Sequence, residues 1–202
     1  MMSGKGNILL VEDEKVLRFT LENILSEEGY NVTALQNFNE AIDKLSRQSF
    51  DLIFADIILG SGKTGIDILR EVKNMEKKCP VVIFTGYPSV DTASEAVRLD
   101  AFDYISKPVR KNTLLHVTRK ALAYKALYDE NEKYRLNLEA IFKSVSDGIV
   151  SIDSDLSVIE INESAVNICE FSFDKIKGKK FTSLSKLCSG KCIEILKETI
   201  KT

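Results

Sequence analysis

The stretch Asp51-Leu52-Ile53-Phe54-Ala55-Asp56-Ile57-Ile58-Leu59-Gly60-Ser61-Gly62-Lys63-Thr64-Gly65 sets four apolar residues in a row ahead of an acid and a glycine-rich loop. Period-two alternation would give a strand with one wet face. An unbroken apolar run bounded by turn residues reads instead as a strand buried on both faces, as in a parallel sheet covered by helices. The same pattern recurs on either side: Ile8-Leu9-Leu10-Val11, Val32-Thr33-Ala34-Leu35, Val81-Val82-Ile83-Phe84 and the shorter Asp103-Tyr104-Ile105, each followed by a segment of helical period. Five strands alternating with five helices and joined by right-handed crossovers predict a doubly wound five-stranded parallel α/β domain.

Ligands of such sheets bind beyond the carboxyl ends of the strands, where strand order reverses. The residues standing there are Glu12 and Asp13 after the first strand, Asp56 after the third, Thr85 after the fourth and Lys107 after the fifth. Glu12, Asp13 and Asp56 would repel one another unless a cation sits among them. Oxygen ligands without His or Cys nearby favour magnesium, which commonly joins carboxylates to phosphate. A carboxylate can attack a phosphoryl group to give an acyl phosphate, and Asp56 is the candidate, with Lys107 as a second positive charge and the Thr85 hydroxyl as a hydrogen-bond partner.

These residues, with Gly86 after Thr85, Pro108 after Lys107 and the aromatic Tyr104 before it, resemble the response-regulator receiver domain of two-component signalling over about residues 1–125. The resemblance implies a flavodoxin-like fold and a phosphorelay in which Asp56 takes phosphoryl from a histidine kinase or phosphotransfer protein. It implies Mg2+ held by Asp13, Asp56 and the backbone carbonyl of Ile58, with Glu12 assisting through water. It also implies a Thr85–Tyr104 switch that remodels the face made by the fourth helix, fifth strand and fifth helix, and a cis Lys107–Pro108 bond. The loop after Asp56 is one residue longer than the family's usual loop and has Gly60 where proline is common.

Other motifs carry less. Gly62-Lys63-Thr64 mimics the end of a phosphate-binding P-loop, but that motif needs a Gly where Ile57 stands. A haloacid-dehalogenase-like phosphatase would want an Asp at position 58, which is Ile. The lone His116 sits among Leu114, Leu115 and Val117, a packing or surface position. Cys188 and Cys192, even with Cys169, fall short of a tetrahedral metal site.

From 111 to about 142 the chain has neither Gly nor Pro and reads as one long helix. A heptad fits it, with Val117, Tyr124, Asn131 and Leu138 at one core position and Lys120, Leu127, Tyr134 and Ile141 at the other. The alternative is a fifth helix packed on its own sheet that runs on into an exposed linker. The expected division is receiver 1–125, helical linker 126–143 and a further module 144–202. In that module Asp147-Gly148, the alternating Ile149, Val150 and Ile152, the turn Asp153-Ser154-Asp155 and Val158-Ile159-Glu160-Ile161 predict a β-hairpin. Helices are expected around 163–169 and 173–176, with an amphipathic stretch over 192–200. With Ile161-Asn162-Glu163-Ser164-Ala165, the module resembles the first half of a PAS sensory domain, partial and α+β, which implies that the sequence is a fragment of a longer protein.

The 28 Lys and Arg against 30 Asp and Glu leave a net charge of −2, which argues against electrostatic capture of nucleic acid or an anionic membrane. No apolar run suits a signal peptide or a membrane span, and four unevenly spaced cysteines do not make a disulfide framework. The expectation is a cytoplasmic, non-enzymatic phosphorylation switch that assists its own phosphoryl transfer and dephosphorylation. Its expected assembly is a homodimer through the receiver face or the linker helix, and its output lies in the PAS segment and beyond, where a histidine kinase or ATPase could follow. The rival of another class is a phosphate-independent docking module on the same fold.

Overall fold

The computed structural model describes residues 5–60, 62–169 and 176–180. Ser61, residues 173–175 of the helix expected over 173–176, the stretch over 192–200 and the Cys188–Cys192 pair lie outside the described residues, as does the side chain of Cys169. The chain divides into two compact units, Met1–Glu130 and Asn131–Thr202, a boundary that falls inside the expected linker.

The first unit runs β1 (Asn7–Val11), α1 (Lys15–Glu27), β2 (Asn31–Leu35), α2 (Phe38–Arg47), β3 (Leu52–Asp56), α3 (Gly65–Asn74), β4 (Val81–Thr85), α4 (Val90–Arg98), β5 (Asp103–Ser106) and α5 (Lys111–Ser144). The five strands are parallel in the order β2-β1-β3-β4-β5. Each apolar run found in the sequence is a strand, and its residues are divided between the two faces. Leu9, Val11, Ile53, Ala55, Val81 and Ile83 point to the side covered by Ala41 and Leu45 of α2 and by Ile68, Leu69 and Val72 of α3. Ile8, Leu10, Leu52, Phe54, Val82 and Phe84 point to the side covered by Leu21 and Leu25 of α1 and by Leu114, Leu115, Val117 and Ala121 of α5. Burial on both faces is why these strands show no polar alternation. Phe54 and Phe84 stack across neighbouring strands with ring centroids 5.0 Å apart, adding to the area term.

Helix starts follow local chemistry. Asn37, Thr64 and Ser89 cap α2, α3 and α4, each side chain accepting the backbone N–H three residues on. Thr64 completes a capping box with Asp67, which is the structural use of the Gly62-Lys63-Thr64 motif. The Lys107–Pro108 bond is cis, as the resemblance implies.

The long helix follows the second sequence reading, a fifth helix that packs on its own sheet and runs on exposed. Its buried residues, Leu114, Leu115, Val117, Thr118 and Ala121, recur at helical spacing and end at residue 121, where it stops facing the sheet. Val117, assigned to the heptad seam, therefore belongs to the receiver core. His116 is exposed, in keeping with a surface role.

In the second unit β6 (Val150–Ile152) and β7 (Val158–Ile161) form the expected antiparallel hairpin, with a bulge between Ser151 and Ile152, and α6 (Glu163–Cys169) follows. Asn162, buried at the start of α6, organises it. Its side-chain oxygen accepts from the Ile149 and Ala165 N–H groups at 2.8 and 2.9 Å, and its amide donates to the carbonyls of Val145 and Asp147 at 3.3 and 2.8 Å. Asn162→Ala removes the side-chain partner of the Ile149 and Ala165 N–H groups and of the Asp147 carbonyl, while the Val145 carbonyl keeps the Ser164 hydroxyl at 2.6 Å, and is expected to cost about 1–3 kcal/mol. Faster amide exchange at Ile149 and Ala165, with exchange in β1 and β3 unchanged, is the checking measurement.

Candidate functional site

The strand order places β1 between β2 and β3, so the chain leaves β1 towards one edge and returns to its other side at β3. That reversal opens a crevice at the carboxyl ends of β1 and β3. Register pairs Val11 with Ala55, so Glu12 and Asp13 emerge beside Asp56. One carboxylate oxygen from each of Glu12, Asp13 and Asp56 lies within 4.8 Å of the others. Glu12 is fully buried and Asp56 nearly so, whereas Asp13 is exposed at the rim.

Lys107, just past β5, reaches into this cluster. Its Nζ donates to Asp56 Oδ2 at 2.7 Å and lies 2.8 and 3.0 Å from the two Glu12 carboxylate oxygens. Burial opposes the charge on Lys107, but its bonds to Asp56 and Glu12 outweigh it and raise its pKa. The Glu12 carboxyl is raised to about 7, chiefly by burial, with the Lys107 bond opposing the rise and the charge of Asp56 adding to it. Asp56 Oδ1 is buried and has no hydrogen-bond partner among the described residues. A buried carboxylate oxygen of that kind is costly unless a cation or a reacting group meets it. With two further carboxylates beside it, the donor set suits a hard divalent ion of magnesium type.

Thr85 and Tyr104 each have a bond of their own. Thr85, buried at the end of β4, accepts the Tyr87 N–H on its hydroxyl at 3.1 Å. The Tyr104 hydroxyl is 2.8 Å from Thr92 Oγ1 of α4. Ile58 forms an isolated bridge with Thr64 across the loop after β3. In that loop Gly60 has φ +63°, which a proline ring cannot adopt, and it lies beside Asp13, where an added Cβ would stand 3.3 Å from Oδ2.

Two contributors escaped the sequence reading. Arg18 of α1 donates from Nη1 to the backbone carbonyls of Glu12 at 2.6 Å and Asp13 at 3.1 Å, holding the acidic turn against its helix. Its helical position, one and a half turns past an acidic pair, was the available signal. Gly65 is the other: a Cβ there would stand 2.3 Å from the Asp56 backbone oxygen, so only glycine lets α3 begin against the end of β3. Gly65→Ala is expected to cost about 1–3 kcal/mol by overpacking and to weaken magnesium binding by displacing Asp56, checked by urea unfolding and magnesium titration.

A pH dependence follows from Glu12. Its pKa is higher in the folded chain than its ordinary value of 4.5, so the folded state binds the proton more tightly than the unfolded state does. The stability this contributes is full below pH 4.5 and is lost as the pH rises through about 7. Unfolding in chelator should show that decline, and saturating magnesium, which favours the carboxylate, should flatten it.

Comparison with known proteins agrees with this geometry. The family model of the response regulator receiver domain matches residues 8–119. The chain is 35% identical over 148 residues to the alginate biosynthesis transcriptional regulatory protein AlgB of Pseudomonas putida, covering 73% of this chain and 32% of that protein. It is 37% identical over 127 residues to the transcriptional regulatory protein ZraR of Klebsiella oxytoca, covering 62% and 28%. The chain thus spans about a third of the length of these curated relatives. Among solved structures, NtrX from Brucella abortus aligns with a TM-score of 0.61 at 28% identity, over 74% of this chain and 32% of that one. The signal receiver domain of a Luxo repressor protein from Vibrio parahaemolyticus aligns at 0.60 and 27%, over 63% and 97%. With its strand order, its crevice and a family match across the whole sheet, the chain belongs to the response regulator receiver domain family of two-component signalling.

Proposed function

We propose that Asp56 is the phosphoacceptor and that its Oδ1 is the attacking atom. The observation that carries this reading is the difference between its two oxygens: Oδ2 is held by Lys107 at 2.7 Å, while Oδ1 is buried and unbonded among the described residues. As Oδ1 bonds to phosphorus, the bond from phosphorus to the imidazole nitrogen of a histidine kinase or phosphotransfer protein breaks, and its electron pair stays with the imidazole. Asp13, Asp56 and the Ile58 carbonyl would hold Mg2+, with Glu12 behind them. When bound, that ion supplies positive charge to the equatorial phosphoryl oxygens. Lys107 stays on the carboxylate and then on the phosphoryl oxygens, and keeps Glu12 and Asp56 together before the reaction.

The switch reading rests on the present partners of Thr85 and Tyr104. The Thr85 hydroxyl accepts from Tyr87, so its own proton is available to a phosphoryl oxygen. Tyr104 is tethered to Thr92, and a turn inward would release α4. The signal would pass to a homodimer assembled through the receiver face or the linker helix. The second unit reads as the opening part of a PAS domain, supported by its hairpin and by Asn162 at the start of α6.

Beryllofluoride with magnesium mimics the aspartyl phosphate. Binding to the wild type, seen as a change in intrinsic tyrosine fluorescence, is expected, with loss in Asp56→Asn and a well-folded variant by circular dichroism. A wild type that takes magnesium yet fails to bind beryllofluoride would instead favour a phosphate-independent docking module.

A further inference from the structure

At the amino ends of β4 and β5, the end of the sheet away from Asp56, the receiver unit carries an open cavity of about 610 Å³. The turns that leave α3 and α4 frame it. Each passes through one residue in the left-handed region, Glu76 at φ 54° and Asp100 at φ 59°, which turns the chain out of its helix. Buried Val72 and Pro80 form the floor with half-buried Cys79, Leu99 and Ala101. Aromatic rings form one wall: Phe102 and Tyr124 meet with centroids 5.5 Å apart, and Tyr128 stands one turn further along α5.

Three lysines stand around this cavity, Lys73, Lys77 and Lys78. Two of them are engaged. Lys73 Nζ lies 2.7 Å from Asp100 Oδ2, and Lys77 Nζ donates to the backbone carbonyls of Leu45 and Gln48. Lys78 is exposed and makes no ion pair or hydrogen bond among the described residues. The Asp100 carboxyl is held below its ordinary value, first by the Lys73 bond and last by the charge of Lys78, so that ammonium lies close to the Lys73–Asp100 pair. Glu76 and Asp100 are the acids of the lining, which leaves positive charge in excess at the mouth.

We propose that this cavity binds a small aromatic carboxylic acid. Its ring lies over the apolar floor beside Phe102, Tyr124 and Tyr128, and its carboxylate accepts from Lys78. A concave apolar site of several hundred Å³ with few polar groups is the usual form of a small-molecule pocket. Rings are favoured partners of rings in offset or edge-to-face contact. An ammonium without a partner beside a poorly solvated wall favours an anion over a neutral ligand of the same shape. The site shares no residue with the cluster of Glu12, Asp13 and Asp56, and its test runs without magnesium or a phosphoryl donor.

Calorimetric titration of the full chain with 2-naphthoate should show one site. 2-Naphthalenemethanol, which has the ring without the charge, should bind at least about tenfold more weakly. Lys78→Gln should weaken naphthoate by about tenfold and Tyr128→Ala by about fivefold, with the thermal transition unchanged. Lys15→Gln, the same charge change on α1, should have no effect. In amide NMR spectra naphthoate should shift Val72, Lys78 and Ala101 and leave Val11 and Ala55 in place. No heat and no shifts at millimolar naphthoate, shifts centred on other residues, equal affinity for the alcohol, or a Lys78→Gln variant that binds like the wild type would overturn the proposal. Binding that weakens as protein concentration rises would overturn it too, since a second copy of the chain would then be what covers the cavity.

Discussion

Two carboxylates buried side by side at one end of a parallel sheet are held there by a single ammonium. Lys107 meets both Asp56 and Glu12 within 3.0 Å, and the sheet can end in an acidic crevice because it does. Breaking a buried, hydrogen-bonded pair of this kind typically costs about 3–5 kcal/mol, since the remaining charge is left uncompensated. Lys107 also leaves part of the cluster unsatisfied, because it engages only one oxygen of Asp56. The bond that steadies the site and the unbonded oxygen of Asp56 therefore trace to the same residue.

The surrounding architecture serves that arrangement. Reversal of strand order at β1 and β3 creates the crevice, and paired register brings Glu12 and Asp13 to Asp56. Arg18 fastens the acidic turn through its carbonyls, and Gly65 allows α3 to start against the Asp56 backbone. None of these contacts is made by the clustered carboxylates themselves, yet each fixes where those carboxylates stand.

The second half of the molecule follows another economy. α5 uses its first turns to cover the sheet with Leu114, Leu115, Val117 and Ala121, then carries on with a narrower apolar seam than a core-facing helix needs. Beyond its end Asn162 gathers four backbone groups of the hairpin unit, so one buried amide replaces several separate contacts.

The local pattern of the chain already contained the strands, the helix that runs from Lys111, the hairpin and the list Glu12, Asp13, Asp56, Thr85 and Lys107, because burial on both faces and the residue after each strand are written in near-neighbour order. The apolar spacing of α5 was legible too, but not where the helix would stop serving the receiver core, since Val117 takes its role from a sheet distant in sequence. What only the tertiary structure decided was partnership. Lys107 lies 95 residues from Glu12 and 51 from Asp56, Tyr104 is held by Thr92, and Arg18 grips carbonyls that have no identity in the side-chain pattern. Periodicity reports which face a residue occupies; distances of 3 Å or less across that face arise only when separate elements have been brought together and packed.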